Sequence, residues 1–424
     1  MVIDFINKIY ADTNIPDLVP GTSGEHLVEF YTACSRGLRL NKKVVIVKPD
    51  RPLNHKVYDI IPEGVILNIV KHSSLSGIKA RIILWIASGC LIKYPKKHIY
   101  SYLRSRLNKI VSKMDNNANK CVVCSRFLNF LKVYIDAKFF NKKQYIDKKE
   151  ISEGVSCKLS NVDITYSQKY LRNIGVDFNK KIVCLHVRDH INDTGGYNRR
   201  CSIEQYERGI KYLESKDFLV IKIGRNSETK YSRNSAVDLS FDDVPHVIQI
   251  YLISICKFVI SYQTGVIPLL SYMFNRPLLM ANVVDPVLNY PIKKNALIIL
   301  KTLYSKNSMK EARFDEITSG RVTKLKKSHC FDELYYYEDN TPSEILLSIK
   351  EMINFIDNGF KKNDDQLFLR RHLQEKNTNI LKDKKDVGVY NFHMRWSGGE
   401  FIGAGALCAW YAKKIRSEIE SYSN

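Results

Sequence analysis

A guanidinium is the side-chain group best matched to a diphosphate, because its planar fork offers paired N–H donors to phosphate oxygens. Arg188 stands where such a group has work to do. It follows Ile182 to Val187, an apolar run rich in β-branched residues that predicts a short strand. His186 and Arg188 are two apart, so both point to the same face. Asp189 comes next, followed by a polar, glycine-containing loop that runs to Arg200. An arginine at the carboxyl end of a buried parallel strand is costly to desolvate unless it meets an anion. From the strand alone two partners stay open: the diphosphate of a ligand, or a carboxylate at the edge of the domain.

Two later loops carry groups of the same kind. The strand Phe218 to Ile223 ends at Gly224 and Arg225. A short strand from Phe258 to Ile260 leads through Tyr262, Gln263, Thr264 and Gly265 into a helix over Val266 to Phe274. Helix amino termini bind phosphate through unpaired amides and the helix dipole, although Thr264 taken alone reads first as an N-cap. All three loops are expected on one edge of one sheet, the usual ligand crevice of such a fold. No acidic pair of the DxD sort is present, and Asp242-Asp243 precedes a helix. The expectation is therefore an anion site that works without a metal ion or a resident cofactor.

The elements that must position these loops follow an α/β rhythm. Toward the amino terminus a turn-rich stretch precedes a helix over Leu27 to Leu40, with apolar residues at 27, 30, 31, 34 and 38. Strands are predicted at Lys43 to Lys48 and Gly64 to Val70. Tyr166 to Ile174 reads as the helix entering a second domain. From 181 onward strands and helices alternate: 182–187, a helix from a Ser202 cap with Gln205 at the third position of a capping box, 218–223, a helix from Pro245 to Cys256, 258–260, the helix from 266, and Pro277 to Ala281. Beyond 290 the pattern thins, leaving a helix over Ser343 to Phe355, a charged stretch at 361–386 and a helix in the tail. The pattern predicts doubly wound parallel sheets.

Composition bounds the class. The chain has 424 residues, 45% hydrophobic and 26% charged, as a folded protein of two to three domains would. Its 66 Lys and Arg against 44 Asp and Glu give a net charge of +22. Such an excess suits nucleic acid, anionic lipid or phosphorylated substrates. Ten cysteines are present, several inside apolar patterns where cysteine is a small core residue. Cys121 and Cys124 form a lone CxxC, short of the four ligands of a structural zinc site. The first residues lack the apolar core of a signal peptide, and the longest apolar run, Ile82 to Ile92, is about half the length that spans a bilayer. A cytoplasmic protein with reduced thiols is expected. Lys96 to Met114 form a basic amphipathic stretch that either lies on an anionic membrane surface or packs as an ordinary surface helix.

The ordered segments CLHVRD, GYNRR, SIEQYERGIKYL, FLVIKIG and ICKFVISYQTGVIPLLSYMFNRPLLMANVV resemble a group of bacterial glycosyltransferases of the GT-B architecture. The strand 182–187 with His186 and Arg188 is similar to the HxR motif of the O-fucosyltransferases and the α1,6-fucosyltransferase. The resemblance is best over 181–284, with a fainter echo at 20–48, in GTSGEHLVEFYTACSRGLRLNKKVVIV. It implies two Rossmann-like domains facing a cleft: an acceptor-side domain over 1–175, a nucleotide-sugar domain over 176–385, and a carboxyl-terminal helix within 386–424 that packs back on the first domain. It implies that Arg188 contacts the donor diphosphate with His186 beside it, and that Thr264-Gly265 lie near the phosphates. Asp189, Arg200, Gly224, Arg225 and Gln263 are the further donor-side candidates. An inverting transfer needs a base on the acceptor side, for which Glu25 and His26 are candidates; the bland reading of both is capping at a helix start. Where the likeness leads one to expect Gly-His, the chain reads Gly24-Glu25-His26. The resemblance favours GDP as the nucleotide and a surface glycan, lipid-linked glycan or protein as acceptor. The rival classes are a polyanion- or nucleic-acid-binding protein, suggested by the charge, and a non-catalytic sugar-nucleotide-binding module. No helix-turn-helix, finger or RNP-like signature supports the first.

Overall fold

The computed structural model describes residues 8–12, 30–31, 34–35, 38, 41, 43–48, 59–71, 152, 154, 156–189, 200–225, 227, 230–231, 237–241, 244–262, 266–284, 286, 290–318, 331–382 and 403–423. The basic stretch at 96–114, Cys121 and Cys124, Glu25 and His26, and Gln263 to Gly265 lie outside them. The chain divides into two units, one of 1–53 and 64–145, the other of 54–63 and 146–424.

The first unit holds a parallel sheet of β1 (Lys8–Asp12), β2 (Lys43–Lys48) and β4 (Leu67–Lys71), in the order β1-β2-β4. The strand at 8–12 is not among the expected ones. Of the helix expected over 27–40, residues 30, 31, 34, 35 and 38 are helical. Phe30, Tyr31, Cys34 and Ser35 are buried while Leu38 is exposed. Between β2 and β4 in the chain, β3 (Ile61–Pro62) belongs to the second unit, where it pairs antiparallel with β5 (Cys157–Lys158).

The second unit is built on seven strands. They are β6 (Lys181–His186), β7 (Phe218–Ile223), β8 (Val237–Asp238), β9 (Phe258–Ser261), β10 (Leu278–Val283), β11 (Ala296–Leu300) and, far along the chain, β15 (Ala406–Leu407). Their order is β15-β11-β10-β9-β6-β7-β8, and every adjacent pair is parallel. Strands β7, β9, β10 and β11 are buried along their whole length, as a parallel sheet covered on both faces requires. One group of covering helices is α1 (Asn161–Asn173), α3 (His246–Ile255) and α4 (Val266–Met273); the other is α2 (Glu207–Glu214) and α7 (Pro342–Asn358). In the second group the helices approach closely: a Cβ at Gly209 of α2 would overlap Ile349 Cδ1 of α7. Ser202 caps a 3-10 turn, Ile203–Tyr206, by accepting from Glu204 N, and α2 follows it. The reciprocal capping box expected there occurs instead at Thr341 and Glu344, which open α7.

A small antiparallel sheet of β12 (Thr302–Ser305), β13 (Lys310–Glu311) and β14 (Tyr335–Glu338) continues from β11, with short helices α5 (Phe314–Thr318) and α6 (Phe331–Leu334) beside it. Leu303, Ala312, Ile317, Phe331 and Tyr335 form its core. The tail belongs to the second unit. Strand β15 pairs with β11, and α9 (Ala409–Ser423) packs on α8 (Asp364–Lys382). A half-buried carboxylate holds it there. Glu351 of α7 accepts from Ala409 N at 2.7 and 2.8 Å, capping α9, and from Gln366 Nε2 of α8 at 3.2 Å. Among the described residues no helix is long and apolar enough to cross a membrane, and the described cysteines are all buried thiols.

Candidate functional site

The order of the second sheet contains one reversal. From β6 the chain proceeds outward to β7 and β8, then returns to place β9 on the other side of β6, and continues away through β10 and β11. The crevice outside the carboxyl ends of strands at such a reversal is where open α/β sheets bind ligands. Here it falls between β6 and β9. The residues that leave those strands are His186, Arg188 and Asp189 on one side and Ser261 and Tyr262 on the other.

His186 ends β6, and its Nδ1 lies 3.0 Å from Ser261 Oγ at the end of β9, so a side-chain hydrogen bond closes the reversal point. Desolvation of the imidazole, reinforced by the Arg188 and Lys222 charges against the opposing pull of Asp189, lowers its pKa to about 4. At neutral pH His186 is therefore an uncharged ring that offers one donor and one acceptor. Arg188 is half-buried, with its guanidinium carbon 6.0 Å from the centre of the Tyr262 ring, at the outer limit of a cation–π contact. The chain returns to Arg188 after its loop: Cys201 N donates to the Arg188 carbonyl at 3.1 Å, which brings Arg200 back to the same edge. Arg200 is tied there by its own carbonyl, which accepts from Lys301 Nζ at 2.5 Å, while Lys301 pairs with Asp339 at 2.5 Å.

The second loop stands beside the first. Gly224 leaves β7 with φ +138°, and a Cβ at that position would meet His186 Cδ2 at 3.3 Å. Gln249 of α3 holds this turn from below, its Oε1 accepting from Gly224 N at 3.2 Å and its Nε2 donating to Gly224 O at 2.8 Å. Arg225 follows, exposed. The structure thus brings His186, Arg188, Asp189, Arg200, Gly224 and Arg225 to one sheet edge.

Asp189 has partners of its own within the chain. Its Oδ2 accepts from Ser227 Oγ at 2.5 Å and from Lys222 Nζ at 3.1 Å. Sequence reasoning passed over this cluster. Lys222 is the one charge in the apolar run FLVIKI and is buried, and Asp238 at the end of β8 lies 3.6 Å from its amine. A lysine inside an otherwise apolar strand is a readable signal that carboxylates stand nearby. Gln249 and Ser261 carry no such signal, since each is an ordinary polar residue until the sheet places it.

Comparison with protein families finds no family that matches the chain, and comparison with curated protein sequences finds no match. Among solved structures, the chain is similar to Escherichia coli ADP-heptose heptosyltransferase II, with a TM-score of 0.42 and 11% identity, over 82% of this chain and 99% of that one. A glycosyl transferase family 9 protein from Veillonella parvula gives 0.41 and 10%, over 82% and 96%. A glycosyltransferase from Rickettsia africae gives 0.26 and 12%, over 89% and 99%. Likeness at this level carries no functional weight. What the residues themselves define is a doubly wound α/β unit whose reversal point is lined by arginines, a neutral histidine and a left-handed glycine.

Proposed function

We propose that this chain is a glycosyltransferase that moves a sugar from a nucleotide-sugar donor to a glycan, lipid-linked glycan or protein acceptor, without a metal ion. The observation that supports this reading is Arg188 at the reversal between β6 and β9, with Gly224 and Arg225 on the adjacent loop. A guanidinium in that crevice grips phosphate oxygens and stabilises the charge that grows on the leaving diphosphate as the glycosidic bond breaks. Gly224, with no side chain, leaves the space that the His186 ring occupies beside Arg188. His186 acts as a neutral hydrogen-bonding group toward the donor, since burial keeps it uncharged at neutral pH. For the base of an inverting transfer, Glu25 and His26 remain the candidates. GDP is the nucleotide favoured by the HxR likeness.

The test is a thermal-shift panel of GDP, UDP, ADP, CMP and dTDP on the wild-type chain and on Arg188→Ala, followed by assays of donor hydrolysis and transfer. A ligand that binds only the native state raises the melting temperature. The expected result is a shift with one nucleotide diphosphate that Arg188→Ala abolishes together with turnover. No shift with any nucleotide, or near wild-type turnover in Arg188→Ala, refutes the proposal.

A further inference from the structure

Lys222 is the one residue of β7 that is not apolar, yet it is only 1% exposed. A buried ammonium is costly unless it is both paired and hydrogen-bonded. Its Nζ meets Asp189 Oδ2 at 3.1 Å, Asp238 Oδ2 at 3.6 Å and Ser227 Oγ. Ser227 Oγ in turn donates to Asp189 Oδ2. Asp238 is fixed from its other side by Tyr231 N at 2.8 Å, Ser240 N at 2.9 Å and Ser240 Oγ at 2.6 Å. These partners come from three separate segments. Asp189 follows Arg188 directly, Ser227 stands two residues after Arg225, and Asp238 ends β8. An apolar residue at 222 would fill the strand and tie none of them.

We infer that Lys222 is the positioning residue of the arginine site. Its ammonium pins the segment that carries Arg188 and the segment that carries Arg225 to the same point beneath the sheet edge. It also engages the Asp189 carboxylate, which would otherwise be a counter-charge next to Arg188 competing with an incoming anion for the guanidinium. The inference rests on the proposed function only in taking that anion to be a nucleoside diphosphate.

The variants are Lys222→Met, Asp189→Asn and the two combined. Hydrogen exchange is followed in the unliganded protein over Val187–Asp189 and Gly224–Ser227, and binding of GDP and of inorganic pyrophosphate by calorimetry. Lys222→Met is expected to speed exchange in both segments and to weaken binding by about tenfold, because it leaves two carboxylates without their cation. The double variant is expected to regain most of the affinity while the segments still exchange fast, since the competing carboxylate is gone. Should Lys222→Met fail to fold, Asp189→Asn alone is expected to speed exchange at Val187–Asp189. Unchanged exchange in Lys222→Met or in Asp189→Asn overturns the inference. So does wild-type affinity in a folded Lys222→Met, and so does equal weakness of the single and double variants, which marks a purely structural ion pair. If the wild type binds neither GDP nor pyrophosphate, the proposed function fails, and the exchange measurements still decide the role of Lys222.

Discussion

Gly224 sits where backbone conformation and side-chain packing make the same demand. At φ +138° an L side chain is strained, and the space a Cβ would fill is held by the His186 ring at 3.3 Å. The Gln249 amide makes two hydrogen bonds to this one residue, as the peptide of a neighbouring strand would. Because the turn is held from α3, it has little freedom to relax around an added methyl. Gly224→Ala is therefore expected to lose about 1–3 kcal/mol of stability, measured as a lowered urea midpoint at unchanged slope. The displaced ring also disturbs the His186–Ser261 contact, so nucleotide binding should weaken in the same variant. An unchanged midpoint would show that the loop re-forms freely and that Gly224 is not a fixed part of the site.

At the scale of elements, the carboxyl edge is completed by a pair of asparagines. Asn282, near the end of β10, takes a left-handed φ of +58° and is fully buried. Its N–H donates to Asn340 Oδ1 at 2.7 Å, and Asn340 N donates back to Asn282 Oδ1 at 2.7 Å. Asn340 Nδ2 also donates to Leu300 O at 2.6 Å, and Asn282 Nδ2 to Tyr206 Oη at 3.2 Å. The pair locks β10, β11 and the start of α7 together. Asn340→Ala strands a buried N–H and a buried carbonyl and is expected to cost about 2–3 kcal/mol, seen as a fall in melting temperature. A fall as small as that of an exposed alanine substitution would mean that water takes over both bonds. This edge also marks the limit of what the sequence reveals. Strands β6, β7 and β9 are legible because apolar, β-branched runs end at turn formers, and Arg188 is legible because a cation at such an end asks for an anion. Strand β11 is not: five apolar residues between Asn295 and Lys301 fit a buried strand or a buried helix turn alike. Strand β15 has two residues, and its partner lies more than a hundred residues earlier. The Lys222 cluster needs Asp189 and Asp238 from other segments, and only the sheet order brings them to the amine.

For the molecule as a whole, two partly desolvated groups make stability depend on pH in opposite senses. His186 titrates at about 4 in the folded chain against 6.5 when free. Below 6.5 the unfolded chain therefore takes up a proton that the native ring refuses, and stability is lost as pH falls from 6.5 through 4. Glu351, which caps α9, is pushed up to about 7 by burial, from 4.5. Between those values the native chain keeps a proton that the unfolded chain releases. Its contribution is present in full below 4.5 and is lost as pH rises through 7. The two slopes oppose each other over the window between 4.5 and 6.5, so the wild-type profile hides both, and the variants expose them. Relative to wild type, His186→Asn should lose less melting temperature as pH is lowered from 6.5 toward 4. Glu351→Gln should lose less as pH is raised from 4.5 through 7. The measurement is a series of melting curves at fixed ionic strength, read as the difference from wild type so that the many exposed charges of a +22 chain cancel. A His186→Asn curve parallel to wild type would show that the ring is solvated and charges normally, and the neutral role given to it beside Arg188 would fall with it.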